Sequence, residues 1–386
     1  MQNSTTEATS VAVTAAGSTT RAHGTKHAPG SRVLFLFPHP IADEVQKVAK
    51  GESPTERLYG AHELAALGWD VRYSDSRFFG SFGRFLKFLR QFGVIGVSFG
   101  TIADIARSDV VVVKDDFSAV AAIVTRLLGR KLVFLDSMFA PPQRWWKTVG
   151  TWISLHLAHE TICYSEHQKQ VWKQRFGTLA ERIRVLPYTV DVSFYRKLAA
   201  DELNLSSRRV LAVGRDVGRD YASLVEALRG TDLKLDLITL PYLLRGIPLD
   251  GNDQVIVHQR LSYEALFDLY KQAAVVVIPL KPGISYPSGI RALFEAMILK
   301  RPFVATRNEV LLEYMEDGVH GFMVPPKDPA ALREAILACV ARGKANEAMV
   351  ASAADLVQRE YDQGVFARAL DGVLRRLTGR SPATSE

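Results

Sequence analysis

The sequence predicts an α/β protein made of two doubly wound parallel sheets in tandem. From residue 32 onward, short apolar runs alternate with helix-period segments, the pattern of parallel strands covered by helices. A length of 386 residues is enough for two domains of ordinary size, and 47% hydrophobic residues is a globular composition. The strand pattern then stops once, in PYTVDVSFYRKLAADELNLSSRR (187–209), before resuming.

Residues 1–31 are rich in Ser, Thr, Ala and Gly, hold no apolar run of signal-peptide length, and are expected to be disordered. The first domain is expected over 32–190, with strands at 32–37, 110–114, 131–135, 161–165 and 183–187. A linker at 191–208 leads to a second domain over 209–360, with strands at 209–213, 234–240, 254–258, 274–280 and 302–306. VFARALDGVLRRL (365–377) reads as an amphipathic helix, placed within 361–378 and expected to cross back onto the first domain. Residues 379–386 form a tail, expected to be disordered.

The formal charge of +7 is unevenly spread, because residues 77–103 contain four basic side chains and no acidic one. In RFFGSFGRFLKFLRQFGVIGVSFG (77–100), Phe82, Phe85 and Phe88 take one side of a helical wheel, and Arg84, Lys87 and Arg90 the other. That layout suits an interfacial helix on an anionic membrane surface, although a core-facing helix with a solvated basic side gives the same pattern. Trp145, Trp146 and Trp152 form a second aromatic, weakly basic stretch. No nucleic-acid motif accompanies the basic segment, so nucleic acid is not an expected partner. Cys163 and Cys339 lie far apart without metal-type spacing, which points to a reducing, cytoplasmic setting. No run reaches the roughly 18 to 20 apolar residues of a membrane span.

Open parallel sheets bind ligands at the carboxyl ends of their strands. In the second half, LAVGRDVGRDYASLVEALRG (211–230) places Gly214, Arg215, Gly218 and Arg219 between a strand and a helix. Mobile amides and two guanidiniums there suit a diphosphate; a surface turn with exposed arginines is the alternative. The stretch is neither a Walker loop nor a dinucleotide fingerprint. In ISYPSGIRALFEAMILKRPFVAT (284–306), Ser288 reads as a helix N-cap, with the amides of Gly289 and Ile290 at the positive end of the helix. Glu295 falls on the same face, placed either to accept two adjacent sugar hydroxyls or to pair with Arg291 on the surface. In the first half, His39, Lys114 with Asp115 and Asp116, and Asp136 follow strands; His39 and Asp136 are candidate catalytic residues on the acceptor side, with a solvated loop histidine the alternative for His39.

GRDVGRDY (214–221), LPYTVDVSFY (186–195) and FEAMILKRPFVATRNEVLLEYMEDGVHGFMVPPKDPAALREAI (294–336) together resemble the retaining nucleotide-sugar glycosyltransferases of the GT-B fold, glycosyltransferase family 4. The resemblance covers residues 183–340 and implies two Rossmann-like domains facing a cleft, with the nucleotide-sugar donor held by the second. It implies that Glu295 binds the donor ribose, that Arg215 meets the diphosphate, and that Arg219 stands at a position usually held by lysine. Asp191 belongs to the hinge motif. Pro287 stands where the family carries its first glutamate, and the Ser288–Gly289 pair still offers amides to a phosphate. No Asp-x-Asp motif occurs, so the implied reaction is metal-independent, without a resident cofactor, and transfers a sugar to a glycan or lipid-linked acceptor with retention. The alternative is a non-catalytic GT-B protein that binds a nucleotide or glycan at the membrane. A nucleotide-sugar epimerase would need further acidic and histidine groups that the sequence does not supply.

Overall fold

The computed structural model describes residues 20–21, 32–75, 99–114, 118–135, 144–198, 207–249, 253–259 and 261–381. Asp136 and the expected membrane-contact set of Phe82, Arg84, Phe85, Lys87, Phe88 and Arg90 lie outside the described residues. The chain divides into one unit of residues 1–164, 168–187 and 363–386, and a second of 165–167 and 188–362.

The first unit holds strands β1 (Thr20–Arg21), β2 (Arg32–Phe37), β3 (Asp70–Asp75), β4 (Val110–Lys114), β5 (Lys131–Leu135), β6 (Glu160–Cys163) and β7 (Ile183–Val185). Their order is β1-β3-β2-β4-β5-β6-β7, parallel throughout except for β1, which runs antiparallel to β3. Strand β3 is absent from the expected set because DVRYSD is too polar to read as an apolar run, yet Val71 and Tyr73 are buried. Strand β1 belongs to a segment expected to be unstructured and instead pairs with β3. The central strands β2 and β4 are buried along almost their whole length, as a sheet covered on both faces requires.

Helices α1 (Ala42–Ala49), α2 (Ala61–Ala66), α3 (Phe99–Ala106), α4 (Ala119–Leu127), α5 (Trp145–Leu157) and α6 (Glu166–Phe176) connect these strands. His159, just before β6, accepts the Leu132 amide on Nδ1 at 3.0 Å. Burial first, and then Arg126 and Lys131, push its pKa down to about 4 from an ordinary 6.5. The folded chain therefore prefers neutral His159, and that contribution is present above pH 6.5 and is lost as pH falls toward 4. Melting curves between pH 7 and pH 4 are expected to show falling stability, and His159→Gln is expected to flatten part of that slope.

The second unit holds β8 (Arg209–Val213), β9 (Lys234–Ile238), β10 (Val255–His258), β11 (Val275–Ile278), β12 (Phe303–Thr306) and β13 (Phe322–Val324), in the all-parallel order β10-β9-β8-β11-β12-β13. Its helices are α7 (Val192–Leu198), α8 (Tyr221–Leu228), α9 (Tyr263–Gln272), α10 (Ile290–Ile298), α11 (Glu309–Leu312), α12 (Pro329–Arg342) and α13 (Glu347–Glu360). Asp220, Ser262, Asn308 and Asp328 each accept an amide at the start of a helix, so local sequence sets where α8, α9, α11 and α12 begin. Asp191 does the same for α7 by accepting the Phe194 amide at 3.0 Å. One face of the sheet packs Val210, Leu235, Val277 and Val304 with Leu224 of α8 and Ile336 of α12 into a single core.

The last helix, α14 (Gln363–Thr378), groups with the first unit and packs against α2. Phe366, Leu370 and Leu374 are its buried stripe. The Trp69 indole donates to Asp371 at 2.7 Å, and the Arg380 guanidinium lies 4.8 Å from the Trp69 ring. A cation over an indole face adds attraction to the burial of that face.

Candidate functional site

In the second sheet, β8 is flanked by β9 on one side and β11 on the other, so the order in which strands are added reverses between β8 and β11 while all remain parallel. Crevices at such a switch point are where open α/β sheets hold ligands. The loop after β8 carries Gly214 to Asp220, and the segment after β11 leads through Ser288 and Gly289 into α10. The two are stitched together: the Asp220 amide donates to Pro279 O at 3.0 Å and the Lys281 amide to Gly218 O at 2.8 Å.

Asp216 is the centre of this arrangement. Its carboxylate accepts from Ser288 Oγ at 2.6 Å, from the Gly218 amide at 3.0 Å and from Arg219 Nε at 3.0 Å. Burial works to raise its pKa, but the Arg219 charge and these hydrogen bonds outweigh it, and the carboxyl is held below its ordinary value. Tyr286 lies beside it, its hydroxyl pushed up to about 12 by burial and then by the Asp216 charge.

Arg219 is 6% exposed, and while its Nε is held by Asp216, its buried Nη1 has no hydrogen-bond partner. That nitrogen lies 3.5 Å from where a Cβ on Gly289 would stand. It therefore points at the start of α10, where the first-turn amides have no acceptor within the helix. Arg219 is paired with Asp216 through Nε, but a buried N–H nitrogen without an acceptor costs about 1 to 3 kcal/mol, so the geometry suits a phosphate oxygen between Nη1 and the helix start.

Two glycines make the room. A Cβ on Gly214 would come within 2.2 Å of Arg219 Nε, and one on Gly218 within 2.9 Å of both Asp216 Oδ1 and Ser288 Oγ. Gly214→Ala is thus expected to displace the guanidinium from Asp216, weakening binding of a nucleoside diphosphate about tenfold, read by calorimetry, and lowering the melting temperature as that buried pair is broken.

Several expectations are corrected by this geometry. The loop amides are not mobile, since Gly218 donates to Asp216 and Gly214 donates to Ile238 O at 3.0 Å. Ser288 is not the N-cap: Gly289 is, at φ 87°, a left-handed conformation that glycine tolerates, and the Ser288 hydroxyl goes to Asp216 instead. Of the two arginines, Arg219 is built into the cluster while Arg215 is exposed and has no polar partner among the described residues.

Glu295 is 3% exposed, not on the helix surface. Its carboxylate accepts from Tyr270 of α9 at 2.8 Å and from Tyr195 of α7 at 3.2 Å, tying both helices to α10. Burial first, and then the Glu295 charge, raise the Tyr270 pKa well above its ordinary value, so the hydroxyl stays a donor. Arg291 Nε donates to the Tyr188 hydroxyl at 3.2 Å. Asp216, Tyr195 and Tyr270 are parts of this arrangement that are absent from the residues expected from sequence. Asp216 stood inside the quoted GRDVGRDY, whereas nothing local marks two tyrosines 75 residues apart as partners of one carboxylate.

In the first unit, His39 is exposed after β2, its ring 5.8 Å from that of Phe37. Lys114 at the end of β4 is fully buried, its ammonium 3.8 Å over the Tyr59 ring. Among the described residues no three His, Cys, Asp or Glu side chains gather as a metal site.

No curated protein matches the chain by sequence. Solved structures do match in fold. A glycosyltransferase from Rickettsia africae is 15% identical with a TM-score of 0.67, over 92% of this chain and 100% of that one. Sucrose-phosphate synthase from Thermosynechococcus elongatus is 17% identical with a TM-score of 0.66, over 91% and 100%. Anabaena HepE in complex with UDP and glucose is 15% identical with a TM-score of 0.65, over 90% and 100%. The shared architecture is the GT-B fold of two Rossmann-like domains. Residues 222–342, which carry Ser288, Gly289 and Glu295, match the family described as Glycosyl transferases group 1.

Proposed function

We propose that this protein is a glycosyltransferase that moves a sugar from a nucleotide-diphosphate sugar to a glycan or lipid-linked acceptor, with retention and without a metal. The observation that carries the reading is the buried, unpartnered Arg219 Nη1 at the start of α10, a ready site for the donor diphosphate. The group 1 domain over 222–342 and the UDP and glucose bound to Anabaena HepE support a nucleotide-sugar donor. In this mechanism Arg219, the exposed Arg215 and the α10 amides take up charge as the sugar–phosphate bond breaks. The leaving phosphate then accepts the proton of the acceptor hydroxyl on the same face. Glu295 is assigned to the ribose. His39 and Asp136 are assigned to the acceptor side. Two buried free cysteines support a cytoplasmic setting.

A thermal-shift screen against UDP, GDP, ADP and their sugars tests the reading, followed by assay of donor hydrolysis with and without chelator and by NMR of the product anomer. Binding of no nucleotide diphosphate would remove it. The non-catalytic alternative is favoured by Pro287, an apolar residue where the resembling family carries an acid; nucleotide binding without any release of sugar would establish it.

A further inference from the structure

We infer that the outer face of α4 and α5 in the first unit docks on an anionic lipid bilayer. Helix α5 turns Thr151, Ser154 and Leu155 inward, while Trp145, Val149 and Trp152 follow at the i, i+4, i+7 spacing of a single outward face. Trp145 is 73% exposed and Trp152 49%, which is far from the usual fate of so large an apolar side chain. Helix α4 packs beside α5 and adds Ile123 and Leu127, the latter 81% exposed. On the other flank a groove of about 420 Å³ runs between α5 and α6, lined by Val149, Trp152 and Phe176 with Arg175 at its edge. The result is a concentration of exposed apolar side chains on neighbouring helices, of the kind that marks an interaction surface.

Charge selects the occupant. Across residues 118–135 and 144–158 there are five Lys or Arg and no Asp or Glu. Arg126 precedes Leu127 and contacts the His159 ring, and Arg144 and Lys147 bracket Trp145 and Trp146, all three basic residues being exposed. A second copy of this surface would bring basic groups against basic groups, whereas phosphate headgroups complement them. Tryptophans flanked by long basic side chains match the boundary between headgroups and acyl chains, with rings in the apolar layer and cations at the phosphates. None of the described helices is long and apolar enough to cross a membrane, so the contact is with the surface. The inference does not depend on the transfer reaction.

Flotation of the full chain with phosphatidylcholine vesicles, with and without phosphatidylglycerol, tests it. The wild type is expected to float with the anionic vesicles, more weakly at high salt, with a blue shift of tryptophan emission. Trp145→Ser with Trp152→Ser, and separately Arg144→Glu with Lys147→Glu, are each expected to weaken binding about tenfold or more at unchanged melting temperature, since all four side chains are exposed. Failure to float at low salt overturns the inference. So does flotation by both double variants at wild-type levels, which would move membrane contact elsewhere in the chain. A dimer seen by light scattering that the tryptophan variant loses would make this face a protein interface instead.

Discussion

Arg219→Ala is expected to lower kcat/KM for the sugar donor by about 10² to 10³, the usual loss on removing one fixed charge aimed at a leaving group. The loss arises because Arg219 has two arms with different tasks. Its Nε is held by Asp216 at 3.0 Å, which fixes the plane of the guanidinium, and Nη1 is left buried and unpartnered beside Gly289. Lysine has one terminal nitrogen and cannot do both, so Arg219→Lys is expected to fall well below wild type despite its retained charge. Stability should also fall in the alanine variant, because Asp216 keeps its burial and loses the charge that offsets it. Calorimetric titration with a nucleoside diphosphate, alongside melting curves, separates the two effects. A large drop in melting temperature with unchanged nucleotide affinity would make Arg219 a structural residue and leave the diphosphate without its main cation.

How far this site could be read from sequence varies with the physics of each part. Strands β2, β4, β5 and β8 announce themselves because sheets buried on both faces need uninterrupted apolar runs. Strand β3 does not, since its Asp70 and Arg72 interrupt the apolar run and find each other at 3.2 Å only in the folded sheet. Gly214 and Arg219 were recognisable from a strand–Gly–Arg–helix order, but the order carries no information on which arginine turns inward. That choice is made by Gly214, whose missing Cβ leaves the only space the Arg219 guanidinium needs. Ser288 misled for a similar reason: a serine before a helix usually caps it, yet here Asp216, 72 residues earlier, offers a stronger acceptor.

Glu295→Ala is expected to destabilise the second unit by about 3 to 5 kcal/mol, a size typical of breaking a buried charged hydrogen-bond set. The cost follows from what is left behind. Tyr270 is 1% exposed and Tyr195 fully buried, so both hydroxyls would lose their acceptor with little access to water. At roughly 2 to 4 °C per kcal/mol for a unit of this size, the melting temperature should fall by on the order of 10 °C. Tyr270→Phe is expected to cost less, about 1 to 2 kcal/mol, because Glu295 loses one donor and keeps the Tyr195 hydroxyl. Glu295→Gln separates architecture from ligand binding. It keeps the shape and one carbonyl acceptor, so most of the stability should survive, while the weaker acceptor should raise the donor KM about tenfold at nearly unchanged kcat, as loss of uniform binding does. An unchanged KM in that variant, with the melting temperature lowered, would confine Glu295 to holding α7 and α9 against α10. The ribose would then need another acceptor, and the carboxylate that makes this segment resemble a sugar-donor site would be the pin of a three-helix junction.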